Sequence, residues 1–136
     1  MPAIEIRGID HVVLRTTDLE RSLRFYRDAL GCTVERRLDE LGLVQLRAGA
    51  SLIDLVPIDS PLGRAGGAPP PSPGDGGRNL DHFALRLATF DEDAIRSQLH
   101  DFGITAGDVA TRYGADGNGP SMYLQDPDGN TIELKG

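Results

Sequence analysis

The fold of this chain is decided by one stretch, Ser121-Met122-Tyr123-Leu124-Gln125-Asp126-Pro127-Asp128-Gly129-Asn130-Thr131-Ile132-Glu133-Leu134. Two β-type runs flank residues 126–130, in which proline fixes one φ angle and glycine and asparagine tolerate positive φ angles, so the pattern predicts a tight hairpin. Side chains alternate across a strand. Glu133 is therefore expected on one face of the return strand, with Ile132 and Leu134 on the other.

The same pattern occurs earlier in the chain, which indicates an internal repeat. Residues 43–55 end in Ile-Asp-Leu where the last stretch ends in Ile-Glu-Leu, and Ile-Asp-His at 9–11 returns as Leu-Asp-His at 80–82. The spacing from a threonine that begins a helix to the glycine that ends it is fourteen residues in both copies, at 17–31 and at 89–103. The chain is therefore predicted to consist of two copies of one unit.

Each unit is predicted to be β-α-β-β-β. Capping boxes begin at Thr17 and Thr89, apolar residues at helical spacing follow, and Gly31 and Gly103 end the helices. In the first unit the strands are expected at 8–16, 32–38, 41–48 and 51–56. In the second unit they are expected at 79–87, 104–111, 119–125 and 131–135, with a glycine-rich loop over 112–120.

The sequence predicts a single domain, 1–136, of the α+β class. It contains two tandem βαβββ modules, at 8–56 and 79–135. Residues 57–78 are rich in proline and glycine and are expected to form a linker or flexible flap between the modules.

Composition excludes several classes of protein. The net charge of −7 opposes nonspecific binding to nucleic acid or to an anionic membrane. The apolar runs are too short to span a bilayer and the first residues lack a signal-peptide core, so a cytoplasmic location is expected. The single cysteine, Cys32, excludes an intramolecular disulfide and a cysteine-cluster metal site, and it is expected to be a buried structural thiol.

Four side chains of metal-ligand type recur at two equivalent positions. His11 pairs with His82, and Asp54 pairs with Glu133, each on a predicted strand and on the face opposite its apolar residues. Imidazole nitrogen and carboxylate oxygen together suit Zn²⁺, Ni²⁺, Fe²⁺, Mn²⁺ or Co²⁺, and the absence of thiolate disfavours a closed structural zinc site. These four residues are the candidate metal ligands.

Further residues are candidates for substrate binding. Arg15, Arg86 and Lys135 lie on the same predicted face and could bind an anionic substrate, although charge-balancing pairs with Asp54 or Glu133 would use the same residues. Tyr113, in the predicted glycine-rich loop, could close over a ligand.

The chain resembles the vicinal oxygen chelate superfamily, which contains glyoxalase I, extradiol dioxygenases, and the fosfomycin- and bleomycin-resistance proteins. The resemblance covers nearly the whole chain and depends on residues 9–14, 23–31, 80–85 and 126–134. It implies two tandem βαβββ modules that form a curved mixed sheet around an open cleft, with one divalent metal ion per site (Ni, Zn, Mn, Co or Fe(II)). In short members the first module of one chain pairs with the second module of its partner, which implies a homodimer with shared sites.

The resemblance also implies a reaction. His11, Asp54, His82 and Glu133 fall where bacterial glyoxalase I has its metal ligands, which implies a lyase or isomerase acting on a small substrate, with Glu133 as general base. Asp54 is one methylene shorter than the glutamate at that position. A non-haem Fe(II) dioxygenase that uses His11, His82 and Glu133 is the second interpretation, and a protein that sequesters a small molecule, as bleomycin-resistance proteins do, is the third. A transferase that adds a thiol to an antibiotic fits the same residues.

Overall fold

The computed structural model describes residues 3, 5–67 and 80–136. The chain divides into two compact units, with the boundary between residues 68 and 69. Each unit is described by itself.

The first unit is a four-stranded mixed sheet with helices. Its strands are β1 (His11–Thr16), β2 (Thr33–Leu38), β3 (Leu43–Ala48) and β4 (Ser51–Pro57), and its helices are α1 (Leu19–Leu23), which packs against β4, and α2 (Pro61–Ala65). The strand order is β1-β4-β3-β2, with β1 parallel to β4 and the other pairs antiparallel.

The second unit repeats this topology. It contains β5 (His82–Arg86), α3 (Glu92–His100), β6 (Ala110–Gly114), β7 (Gly117–Gln125) and β8 (Thr131–Lys135). The strand order is β5-β8-β7-β6, with β5 parallel to β8 and the other pairs antiparallel. The predicted α+β class and the two βαβββ modules are confirmed.

Alternation along the strands separates two faces of each sheet. Leu14, Ile53 and Leu55 are buried in the first unit, as are Ile132 and Leu134 in the second. His11 with Asp54, and His82 with Glu133, lie on the other side of their strands. We call this side the histidine face of each sheet.

The helices begin later than the capping boxes predict. Asp18, and not Thr17, caps α1 by accepting a hydrogen bond from the Arg21 amide. Asp91, and not Thr89, caps α3 through the Ala94 amide. In each case the aspartate carboxylate reaches the amide three residues ahead, which makes it the N-cap.

The first helix also changes its winding. After α1 the chain continues as a π-helical segment, Arg24–Ala29, in which the Leu30 amide bonds to the Phe25 carbonyl. A wider turn brings the adjacent residues Phe25 and Tyr26 to the buried side together, with their rings edge to face at 4.9 Å. The sequence predicts an ordinary helix here because the spacing of its apolar residues does not reveal the extra residue in the turn.

Three predicted segments differ from the structure. The predicted linker begins with the last residue of β4 and with α2, while its residues 68–78 lie outside the described part of the chain. The predicted loop at 112–120 is wrong, because β6 and β7 form a hairpin there, with Tyr113 opposite Asn118. Residues 104–109, predicted as strand, are irregular. The glycine content favours a loop, but Gly114 pairs with Gly117 and Gly119 pairs with Arg112 within the ladder.

Over the described residues, none of the helices combines the length and apolar character that crossing a bilayer requires.

Candidate metal centre

In the second module a histidine and a carboxylate lie within reach of each other. His82 on β5 has its Nε2 atom 3.3 Å from Oε1 of Glu133 on β8. The other ring nitrogen, Nδ1, lies 2.7 Å from Oδ1 of Asp81. A carboxylate on one imidazole nitrogen fixes the ring and leaves the other nitrogen as the ligand atom, an arrangement common in metal sites. Glu133 is buried although it is a carboxylate.

Tyr123, on β7, lies directly opposite Glu133. Its ring meets the His82 ring edge to face at 5.3 Å, and the Arg112 guanidinium lies 4.5 Å from its centroid. Burial, the Glu133 charge and a hydrogen bond from the Tyr123 hydroxyl to that carboxylate together raise the pKa of Tyr123. Arg112 is held in turn, because its Nη1 atom donates to the carbonyl and hydroxyl oxygens of Ser121 at 2.9 and 2.8 Å.

A cavity of about 410 Å³ opens beside this group. It is lined by residues 103–105 after α3, by Tyr123 to Gln125 on β7, and by Thr131 on β8. None of these side chains carries a charge. The cavity therefore offers hydroxyl, amide and apolar contacts to a small molecule next to Tyr123.

The first module has the equivalent hydrogen bond between a histidine and the aspartate before it. His11 on β1 has Nδ1 2.7 Å from Oδ2 of Asp10, as His82 has with Asp81. This hydrogen bond, with a smaller contribution from the charge of Asp54, raises the pKa of His11. Both histidines are thus held through Nδ1 by the aspartate that precedes them.

The Asp54 carboxylate is buried, and its two oxygens have different surroundings. Oδ2 accepts a hydrogen bond of 3.2 Å from Nε2 of Gln45, whose Oε1 accepts one of 2.8 Å from Arg36. Oδ1 is also buried and has no hydrogen-bond partner among the described residues. A buried carboxylate oxygen without a donor suits a cation, and an imidazole–carboxylate donor set suits a divalent transition metal.

Neither half, over the described residues, brings three or more His, Cys, Asp or Glu side chains together in a group that could hold a metal ion. Each half supplies one histidine and one carboxylate. The four-ligand set of His11, Asp54, His82 and Glu133 stays a prediction.

The tight turn of the last hairpin positions Glu133. Asp126 accepts hydrogen bonds from the Asp128 and Asn130 amides through Oδ1 and from the Asn130 side chain through Oδ2, at 2.8–2.9 Å. Gly129 has the positive φ angle, +81°, that the turn requires. The register from this turn places Glu133 beside Tyr123.

Two of the predicted substrate-binding arginines already have protein partners. Arg15 donates to the carbonyls of Gly63, Gly66 and Gly67 at the end of α2. Arg86 pairs with Asp116 at 2.9 Å, and both side chains are largely exposed. Arg15 therefore holds the C-terminal end of α2, whereas Arg86 remains accessible to a ligand.

The other two predicted substrate-binding residues lie in different surroundings. The Lys135 side chain is buried against Gly114 and Gly119, and its Nζ atom donates to the Gly136 carbonyl at 3.1 Å. Tyr113 is 82% exposed and belongs to β6 rather than to a loop. No role in substrate binding follows from these positions.

The sequence interpretation missed Gln45, Tyr123, Arg36 and Arg112. Gln45 and Tyr123 lie directly opposite the two carboxylates in neighbouring strands. Counting residues outward from each hairpin turn would have found them. The two arginines offer no such signal, because a long side chain reaches beyond its own register position.

Two βαβββ modules, each with a histidine and a carboxylate on one sheet face, define a protein of the vicinal oxygen chelate fold. A model of the Glyoxalase/Bleomycin resistance protein/Dioxygenase superfamily matches residues 8–134. The chain belongs to this superfamily. Its members are often enzymes, typically use divalent metals, bind small-molecule substrates and commonly form dimers.

Two relatives are similar over nearly the whole chain. The virulence protein STM3117 of Salmonella typhimurium is 30% identical over 131 residues, which cover 95% of this chain and 83% of the relative. The glutathione transferase FosA of Serratia marcescens is 28% identical over 131 residues, which cover 95% and 80%. The crystal structure of STM3117 matches with a TM-score of 0.74 at 28% identity, over 97% of this chain and 98% of that one.

Proposed function

We propose that the protein is a divalent-metal-dependent lyase or isomerase of the glyoxalase type. Its substrate is a small molecule that chelates the metal through two vicinal oxygens. The observation that supports this most is the His82–Glu133 pair, with Nε2 and Oε1 3.3 Å apart and Nδ1 held by Asp81. The same histidine–aspartate hydrogen bond recurs at His11, whose pKa is also raised by the charge of Asp54. This repetition supports a site that takes ligands from a first module and from a second module.

His11, Asp54, His82 and Glu133 would hold the metal, with Oδ1 of Asp54 as its ligand atom. A bound divalent ion would supply Lewis acidity, which would polarise the two substrate oxygens and acidify the adjacent C–H bond. Glu133 is the general base: its carboxylate accepts that proton and returns it to the neighbouring carbon. The cavity beside Tyr123 would take an uncharged part of the substrate, since no charged side chain lines it.

The first experiment is elemental analysis of the purified protein together with metal titration of the stripped protein. We expect about one Ni²⁺, Zn²⁺, Mn²⁺ or Co²⁺ per site. Glu133→Gln should weaken metal binding and abolish turnover of α-hydroxycarbonyl substrates while the far-UV circular dichroism stays unchanged. His100→Gln, at the end of α3, is the matched control and should bind metal as the wild type does.

Other results would point to other functions. Stoichiometric, oxygen-sensitive Fe²⁺ would favour the dioxygenase. Failure to bind any divalent metal would overturn the metal-dependent enzyme and leave a protein that sequesters a small molecule.

The similarity to a glutathione transferase favours a second candidate, in which the enzyme adds a thiol to an electrophilic substrate. This reaction consumes one thiol per turnover, whereas isomerisation consumes none. Measuring glutathione thiol during turnover by the metal-loaded enzyme therefore separates the two candidates.

A further inference from the structure

On the antiparallel neighbouring strand, each candidate ligand carboxylate has one residue directly opposite it. Gln45 on β3 faces Asp54, and Tyr123 on β7 faces Glu133. These positions are equivalent in the two modules. Gln45 donates a hydrogen bond of 3.2 Å to Asp54, and the Tyr123 ring packs against His82, whose Nε2 atom lies 3.3 Å from Glu133.

In the first module Arg36 fixes the orientation of the Gln45 side-chain amide. A glutamine amide can be turned so that either its oxygen or its nitrogen faces a given neighbour, but arginine only donates. Because Nε of Arg36 lies 2.8 Å from Oε1 of Gln45, the amide nitrogen must face Asp54. Gln45 is thereby fixed as a donor to Oδ2, and Oδ1 is the oxygen left for a cation.

In the second module an arginine holds the tyrosine ring. The Arg112 guanidinium lies over the ring face at 4.5 Å while Ser121 holds the guanidinium, and the His82 ring packs edge to face against the same tyrosine. A cation over an aromatic face is attractive, most of all away from water. The ring therefore has few alternative positions, and it stays directly opposite Glu133 on the same face of the sheet.

We propose that Arg36–Gln45 and Arg112–Tyr123 are positioning pairs that orient the Asp54 and Glu133 carboxylates for metal binding. The inference rests on the proposed function, since it assigns these residues to the same site. They do not touch the metal and act only through the carboxylates. Loss of such an outer partner typically weakens metal affinity by about 10–100-fold.

The test compares the Co²⁺ affinity of conservative variants with that of the wild type. The affinity is measured by titrating the metal-free protein with Co²⁺. Tyr123→Phe removes only the hydroxyl and should weaken binding by about 10–100-fold. Arg112→Met should weaken it as well, and Arg112→Lys should restore part of the affinity because it keeps a cation over the ring. In the first module Arg36→Met should weaken binding, while Arg37→Met, which loses only an exposed pair with Asp39, should not.

A second readout separates positioning from a merely structural role. At saturating Co²⁺, Tyr123→Phe should change the visible absorption spectrum of the bound ion, which reports ligand geometry, while Arg37→Met leaves it unchanged. If Tyr123→Phe and Arg36→Met keep wild-type affinity and spectrum, the inference is overturned and the metal-dependent function stands. If the wild type binds no divalent metal, the function and the inference both fall.

Discussion

At the scale of single residues, the aspartate before His11 controls the proton on that ring. The hydrogen bond from His11 to Asp10, and next the charge of Asp54, raise the pKa of His11 above the ordinary value of 6.5. A histidine binds metal only when it is neutral. The apparent metal affinity of the first module should therefore keep rising with pH beyond the range in which an unperturbed histidine has lost its proton.

Asp10→Asn should lower the pKa of His11, because it removes both the charge and the charge-assisted bond that favour the imidazolium. The measurement is a pH titration of the imidazole resonances by NMR in the metal-free protein. The wild-type protein, titrated under the same conditions, is the control. An unchanged His11 midpoint would show that Asp10 does not control this ring.

The same shift affects stability in a defined direction. Because the folded-state pKa of His11 is raised, the folded protein binds more protons than the unfolded chain between the two pKa values. The stabilisation is complete below about pH 6.5 and is lost as the pH rises through the folded-state pKa. Urea unfolding should therefore show a fall in stability over that window, and the fall should be smaller in Asp10→Asn.

At the scale of elements, a glycine with a left-handed backbone follows the helical segment 19–29 and another follows α3. Gly31 has φ +83° and Gly103 has φ +71°, and a Cβ atom added at either would meet nothing within 4 Å. A substitution at these positions therefore costs backbone strain without a steric clash.

Gly31→Ala should lower the free energy of unfolding by about 1–2 kcal/mol, the cost of a left-handed residue with a Cβ atom. Urea denaturation monitored by circular dichroism measures it. Gly8→Ala is the matched control, since Gly8 also has open space around it but lacks a positive φ, and this variant should unfold like the wild type. Equal stability of the two variants would contradict this account of the helix stop.

The elements that could be predicted from the sequence are those with a periodic or paired signal. The alternation of side chains predicted that Glu133 and Ile132 lie on opposite faces of the last strand. The equal spacing from threonine to glycine, at 17–31 and at 89–103, indicated the repeat. The π-helical turn at 24–29 could not be predicted, because one extra residue in a turn leaves the apolar spacing almost unchanged.

The candidate site could be predicted only in its ligand types. The histidines and carboxylates repeat in the sequence, whereas the partners of the carboxylates depend on the register between strands. The hairpin at 110–125 was missed, so the surroundings of Tyr123 could not be derived. Arg112 reaches Tyr123 from a register position opposite Gly119, which no local pattern records.

At the scale of the whole molecule, each module holds half of the predicted ligand set. In a dimer of the kind implied by the family, one site would take His11 and Asp54 from one chain and His82 and Glu133 from the other. An intrachain site would take all four from one chain. The two arrangements respond differently to mixed subunits.

Mixing His11→Ala chains with Glu133→Gln chains separates the two arrangements. In a shared site, each mixed dimer has one site with neither change, so random exchange should restore high-affinity metal binding to about a quarter of all sites. Each variant alone gives the baseline, and exchange is verified by mass spectrometry of tagged chains. No recovery despite exchange would favour the intrachain site.

The irregularity in β2 has a consequence for comparing the two modules. The register shifts between Val34 and Arg36, so that Arg36, and not Glu35, lies opposite Gln45. In a regular strand Val34 and Arg36 would share a face, whereas here Val34 lies opposite the buried Leu46 and Arg36 lies opposite Gln45. The alternation of faces along β2 is thus reset at one position, between Val34 and Arg36.

The second module reaches the same arrangement without that reset. Arg112 stands nine positions after Gly103, whereas Arg36 stands five after Gly31. Each arginine contacts the residue that lies opposite the carboxylate of its module. The two arginines do not lie at the same distance along the chain from the glycine that follows the helix. A superposition of the halves by sequence offset would therefore align neither of them with its counterpart.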